Sequence, residues 1–167
     1  MSQIFMTQSI EDATVTLTNA GASSDEKLLK RRDLRVKGLD VAAGTSTVTV
    51  EIDYGVSTTI DYIVLGNLYT DAADIEVNVD YWNGAAWVEW NDLGDLPGDN
   101  ENQYASANSQ AATKFRVQFL RGSSQTLELS CIFLGERYTT PVSHYADEPF
   151  ETYFKNEVEY DAHGYPS

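Results

Sequence analysis

The residues with the most chemical reach in this 167-residue chain are one cysteine, two histidines and three tryptophans. A hydrolytic triad needs a nucleophile, a base and an orienting acid. His144 and His163 both lie in the C-terminal stretch, away from the rest of the chain, so no such triad is legible. Cys131 sits inside the apolar run from Leu127 to Leu134, where a thiol behaves as a small buried hydrophobe. A single cysteine permits no intrachain disulfide, and the ligand spacings of zinc sites are absent. The sequence therefore points to a protein that is not an enzyme.

Binding chemistry is easier to find. Trp82, Trp87 and Trp90 cluster around Asn83-Gly84, and aromatic rings of this kind either stack on sugar faces or pack across strands. Alternation along the strand sends Trp87 and Val88 to opposite sides. Trp87 is read as entering the core, which leaves Trp82 and Trp90, with Tyr104, as the candidate stacking rings. Asp92, Asp95, Asp99 and Glu101 form an acidic loop that offers oxygen ligands to calcium, although the spacing is not that of an EF-hand. Asp71 and Asp74 are a second acidic candidate of the same kind. A solvated loop accounts for either group equally well, and calcium is the one cofactor the sequence raises.

Charge narrows the partners. The net charge of −15 repels phosphate backbones and anionic lipid surfaces, which argues against nucleic-acid and membrane partners. No Lys or Arg occurs between Gly38 and Thr113, whereas Lys27, Lys30, Arg31, Arg32, Arg35 and Lys37 lie together. That group reads either as a solvated turn or as a docking patch for an acidic partner, including a second copy of this chain. The N-terminus, Met1-Ser2-Gln3-Ile4-Phe5-Met6, lacks the basic start and apolar run of a signal peptide, and no stretch reaches the ~20 apolar residues of a membrane span.

The elements that would position these residues are short strands. Residues 13–18 alternate. Val48, Val50, Ile52 and Tyr54 face one way from a half-buried strand over 47–54. Residues 59–65 are apolar on both faces and read as a central strand, and residues 74–82 alternate again. Asn83-Gly84 predicts a two-residue type I′ hairpin into residues 85–90. Residues 91–102 read as a loop, 114–120 and 126–135 as strands, and 38–46 as a turn. Lys27–Lys37 is ambiguous between a helical turn and the start of a strand. About seven or eight strands with no long helical period indicate an all-β, antiparallel β-sandwich.

The sequence divides into a sandwich domain over residues 1–135 and an arm over 136–167. Pro141, Pro149 and Pro166 interrupt the arm, which is expected to be mostly irregular. It nevertheless carries Tyr145, Phe150, Tyr153, Phe154 and Tyr160, and rings on an arm must cover something, either its own domain or a neighbouring subunit.

The order Val48-Thr-Val-Glu-Ile-Asp-Tyr-Gly55, Ile60-Asp-Tyr-Ile-Val-Leu65, Ile75-Glu-Val-Asn-Val-Asp-Tyr-Trp-Asn-Gly-Ala-Ala-Trp87, Ala112-Thr-Lys-Phe-Arg-Val-Gln-Phe119 and Leu127-Glu-Leu-Ser-Cys-Ile-Phe-Leu-Gly135 resembles the discoidin-like, or galactose-binding-like, jelly-roll superfamily over residues 13–135. The segment Asp33-Leu-Arg-Val-Lys-Gly-Leu-Asp40 lacks the tryptophan usual there, so the family's ligand site is not carried over. Within that superfamily the chain looks most like small bacteriophage structural proteins. This resemblance implies a virion component of a tail, neck or baseplate, assembled in the host cytoplasm with copies of itself and other virion proteins. Lys30, Arg31, Arg32, Arg35 and the five arm aromatics would then be the contact residues. The alternative is a carbohydrate-binding module that meets a surface glycan through Trp82, Trp90 and Tyr104.

Overall fold

Alternation of apolar and polar side chains organises the chain, and it does so over longer strands than the turn signals suggest. The computed structural model describes residues 3–6, 10–31, 33–71, 75–122 and 124–140. Its strands are β1 (Gln3–Met6), β2 (Thr14–Thr18), β3 (Leu39–Gly44), β4 (Val48–Tyr69), β5 (Ile75–Trp82), β6 (Trp87–Leu96), β7 (Asp99–Leu120), β8 (Gln125–Leu129), β9 (Cys131–Gly135) and β10 (Arg137–Thr140). One helical turn, α1 (Glu26–Leu29), and a 3-10 turn at Ile10–Asp12 complete the described elements. Ile4–Tyr138 forms one compact unit; Met1–Gln3 and Thr139–Ser167 belong to another. The arm residues Tyr145, Phe150, Tyr153, Phe154 and Tyr160, both histidines, Arg32 and Asp74 lie outside the described residues.

The frame is a ribbon of two 22-residue strands, β4 and β7, paired antiparallel from Val48↔Phe119 to Tyr69↔Asp99. The ladder breaks between Asp53 and Thr58, where Gly55 takes a φ of 68° and the ribbon bends. On one side of the bend β2 joins β4, and β5 and then β6 extend β7. On the other side β9 joins β4, and β8 touches it at Tyr69 and carries β3 on its outer edge. The layers β2–β4–β7–β5–β6 and β3–β8/β9–β4–β7 face each other across one core. Val50, Ile52, Val79, Phe115 and Phe119 from the first layer and Ile63, Leu127 and Leu134 from the second are all fully buried there. This is the all-β antiparallel sandwich that the strand pattern implied. Burying each of these large side chains stabilises the fold by about 1.5–3 kcal/mol.

Several local expectations are corrected. Residues 47–54 and 59–65 are one strand, because the bend is absorbed by a bulge at Gly55 instead of a loop. A second register shift between Ile60 and Tyr62 puts Ile60, Ile63 and Leu65 all into the core and leaves Tyr62 and Val64 half-exposed. Residues 91–102, read as a loop, belong to β6 and β7, with only Pro97–Gly98 between them. That crossing is tight: a Cβ at Gly98 would stand 2.6 Å from the backbone nitrogen of Thr70. Residues 39–44, read as part of a turn, pair with β8. The final strand breaks at Ser130, whose amide donates to the Gly66 carbonyl (2.9 Å). The β5–β6 connection is a four-residue loop, Asn83–Ala86, in which only Gly84 has positive φ (99°). The Asn83 side chain accepts from the amides of Ala85 and Ala86 at 2.9 Å, so it stabilises a wider turn than type I′.

Lys27–Lys37 resolves into α1, capped by Asp25 through the Lys27 amide (2.8 Å), followed by a loop in which Leu34 and Val36 are exposed. The Leu34 carbonyl holds this loop, accepting from Asn67 Nδ2 (2.7 Å) and Ser130 Oγ (3.2 Å). At the opposite corner the buried Arg121 donates to the carbonyls of Ser46, Ala42 and Gln125 at 2.8–2.9 Å, tying the β3–β4 turn to the end of β7.

Candidate functional site

Strand parity decides which aromatic rings reach solvent. Val77, Val79 and Tyr81 point toward the core, so Asn78, Asp80 and Trp82 project from the outward face of the first layer. The hairpin register sets Trp82 opposite Trp87 and Asp80 opposite Glu89. Trp82 and Trp87 therefore stand side by side, ring centroids 5.4 Å apart and planes at 66°, each half-buried. This corrects the expectation that Trp87 enters the core. Residues directly opposite each other in an antiparallel pair share a face, so the partner of an outward Trp82 is outward as well.

The pair is braced from β7. Arg116 lies directly opposite Asp80 in the β5–β7 register. Its Nε donates to the Asp80 carboxylate, and its guanidinium carbon sits 4.8 Å from the Trp87 ring centroid. Asp80 can be 6% exposed because this contact compensates its charge, and the guanidinium fixes one tryptophan face by a cation–π contact. On the same face, Lys114 bridges Asp53 (2.9 Å) and Glu51 (3.4 Å). The hydrogen bond from Lys114, followed by that from the Gly55 amide, holds the Asp53 carboxyl below its ordinary value. The result is a polar sheet face ending in two aromatic rings, an arrangement suited to stacking on the C–H face of a sugar while adjacent polar groups meet hydroxyls.

The other candidate rings go elsewhere. Trp90, expected to be more exposed, falls in the β-bulge between the Asn91 and Glu89 pairings and turns inward. It packs edge-on against Phe115 (6.4 Å, 70°) and donates its indole N–H to the Asn108 carbonyl (2.7 Å), which holds β6 to β7. Tyr104 is 73% exposed but belongs to the second layer, stacked on Tyr62 at 6.3 Å. Partial burial, then the neighbouring Tyr104, raises the Tyr62 phenol above its ordinary value, with Arg137 opposing. Trp82, Trp90 and Tyr104 thus do not form one site. Trp87 was read as core, and Arg116 and Asp80 were not singled out from sequence, yet the outward parity of Trp82 was a usable signal for Trp87 and for Asp80 on the same strand.

The acidic and basic groups are less suggestive. Asp92 and Asp95 are exposed on β6, whereas Asp99 and Glu101 lie beyond the Pro97–Gly98 crossing on β7. Among the described residues no three His, Cys, Asp or Glu side chains gather to hold a metal ion. Asp71 accepts from the Thr126 amide (2.8 Å). In the basic segment Lys30 donates to the Glu11 carbonyl (3.2 Å), Arg35 pairs with Asp33 (2.9 Å) and Lys37 with Glu128 (2.6 Å), while Arg31 is exposed. Arg35 pulls Asp33 down to about 2. A shallow cleft of about 160 Å³ lies beside this loop, between Leu34, Lys37, Asn67 and Ser130. Cys131 is buried, its sulfur against Gly66. No helix among the described residues is long and apolar enough to cross a membrane.

No protein-family model and no curated protein matches the chain. Solved structures do. SpGH29 superposes with a TM-score of 0.61 at 18% identity over 78% of this chain, which spans only 28% of that protein. The chitosan-binding module 1 from a chitosanase/glucanase of Paenibacillus sp. IK-5 aligns at 0.58 and 18% identity, covering 77% of this chain and 98% of the module. The family 32 carbohydrate-binding module of Clostridium perfringens NanJ, solved with galactose, aligns at 0.62 and 8% identity, covering 75% and 94%. At these identities the likeness is one of fold, and that fold is the antiparallel β-sandwich anticipated from the strand order.

Proposed function

We propose that this chain is a non-catalytic carbohydrate-binding module that recognises a glycan on the outward face of its β5–β6 hairpin. The observation that carries the reading is the Trp82–Trp87 pair, presented on a sheet face and held there by the Arg116–Asp80 contact. Two large aromatics kept half-exposed forgo burial that each would otherwise gain in a core, and a stacking role accounts for that cost. The fold adds support, since two of the structures described above are modules that bind chitosan and galactose. Sugar affinity on such an open face falls in the millimolar to micromolar range. The exposed Tyr104–Tyr62 stack is a second, weaker contact point on the other layer.

The test is a titration of the full chain with galactose and with chito-oligosaccharides, read by tryptophan fluorescence and calorimetry. Trp87→Ala and Trp82→Ala should each weaken binding about five- to tenfold, consistent with losing a stacking contact of about 1–1.4 kcal/mol. Trp90→Phe should leave affinity unchanged. Equal affinity in all three variants would place the site elsewhere.

The assembly reading, a virion component of a tail, neck or baseplate, has less behind it. Its arm residues lie outside the described residues, and the basic segment that would dock a neighbour already satisfies Arg35 and Lys37 within the chain.

A further inference from the structure

We infer that the Trp82–Trp87 platform selects glycans by charge and takes a cationic amino-sugar chain in preference to a neutral or an anionic one. This rests on the glycan-binding reading and adds the chemical class of the ligand. The cation at the platform, Arg116, has its charge met by Asp80 and its face covered by Trp87, so it offers little to a ligand carboxylate. Lys114, the next cation on that face, is shared between Asp53 and Glu51.

Glu89 is different. It is exposed, projects from the same face as the two tryptophans, and has no cation within ion-pair distance among the described residues. It stands one outward position, about 7 Å, from Trp87 along the strand. That lies inside the Debye length of about 8 Å at physiological salt, so its field reaches a sugar stacked on the rings. Asp92 is the next outward carboxylate along β6 and stands roughly twice as far away, where the same salt screens it. Glu89 therefore dominates the preference at physiological salt, and Asp92 contributes only when salt is low. With no Lys or Arg from Gly38 to Thr113, neither β5 nor β6 carries an opposing charge.

The experiment compares three probes of equal length on the full chain at about pH 5.5, where exposed carboxylates remain ionised: a fully deacetylated glucosamine oligomer, its N-acetylated and therefore neutral counterpart, and an oligogalacturonate. The glucosamine oligomer should bind about three- to fivefold tighter than the neutral one, the effect of one exposed charge pair, and the oligogalacturonate most weakly. Glu89→Gln should bring the first two to within about twofold, and added salt should erode the preference in the native chain but not in the variant. Asp92→Asn should change the ratio only at low salt. Equal or tighter binding of the neutral oligomer, or an unchanged ratio in Glu89→Gln, overturns the inference. So does a cationic preference that survives Trp82→Ala and Trp87→Ala together, since that is attraction to the acidic surface at large. If none of the three probes binds, the glycan-binding reading fails with it.

Discussion

Replacing Arg116 separates the two tasks assigned to it, neutralising Asp80 and bracing Trp87. The Asp80 side chain is 9% exposed and that of Arg116 27%. Arg116→Met leaves a nearly buried carboxylate without its cation, which costs about 3–5 kcal/mol when burial is complete. The partial exposure of Arg116 lets water and local relaxation recover some of this, giving about 2–3 kcal/mol here. Arg116→Lys keeps a positive charge near Asp80 but gives up the planar face against Trp87. It should cost about 1 kcal/mol of stability while freeing the ring. Asp80→Asn combined with Arg116→Met removes both charges and should return to within about 1 kcal/mol of the native chain. Urea unfolding followed by tryptophan fluorescence measures all three. Arg116→Met within about 0.5 kcal/mol of native stability would refute the reasoning, because Asp80 would then have had no need of its partner. A sugar affinity unaltered by Arg116→Lys would confine the residue to a structural role.

Two further substitutions test the interior. The Tyr54 hydroxyl is buried without a hydrogen-bond partner among the described residues, its ring edge-on to Phe115. Tyr54→Phe should therefore stabilise the fold by about 1 kcal/mol, whereas a loss of that size would reveal a partner. Burial pushes this phenol above its ordinary value of 10.0, so the unfolded chain releases the proton at lower pH than the folded one. The native chain should lose stability relative to Tyr54→Phe only above about pH 10, by up to about 1.4 kcal/mol per unit, and the two should run parallel below it. Arg121→Met strips the donors from two carbonyls around the β3–β4 turn and one at the start of β8 and should cost about 3 kcal/mol; a cost under about 1 kcal/mol would show that water replaces them.

The fold was legible because its code is local. Val48-Val50-Ile52 and Phe115-Val117-Phe119 alternate without interruption, and a strand with one apolar face must find a second layer to cover it. What misled was length. The stretch around Gly55, and the run from Asn91 to Asn102, carry the composition of loops, yet the strand pairing resumes at Thr58 in the first and runs through most of the second, because a bulge satisfies a bend at less cost in unmade hydrogen bonds than a loop between layers. Bulges leave no compositional mark beyond an occasional glycine, so one ribbon of two long strands looks in sequence like several short ones.

The site was half legible for a related reason. The inward assignment of Tyr81 already sent Trp82 outward, and any hairpin loop with an even number of residues carries Trp87 to the same side. Reading Trp87 as core ran against that parity. Trp90 shows the complement: its inward turn and its bond to Asn108 come with a bulge that only the paired register displays. Arg116 and Asp80 needed one step more. They meet because β7 pairs with β5 across 36 residues of sequence, and that pairing is a property of the sandwich and not of either segment. An outward tryptophan can be found from one strand and its partner ring from one hairpin. The groups that hold the rings still, and the carboxylate that gives them a charge preference, become visible only once the neighbouring strands are placed beside them.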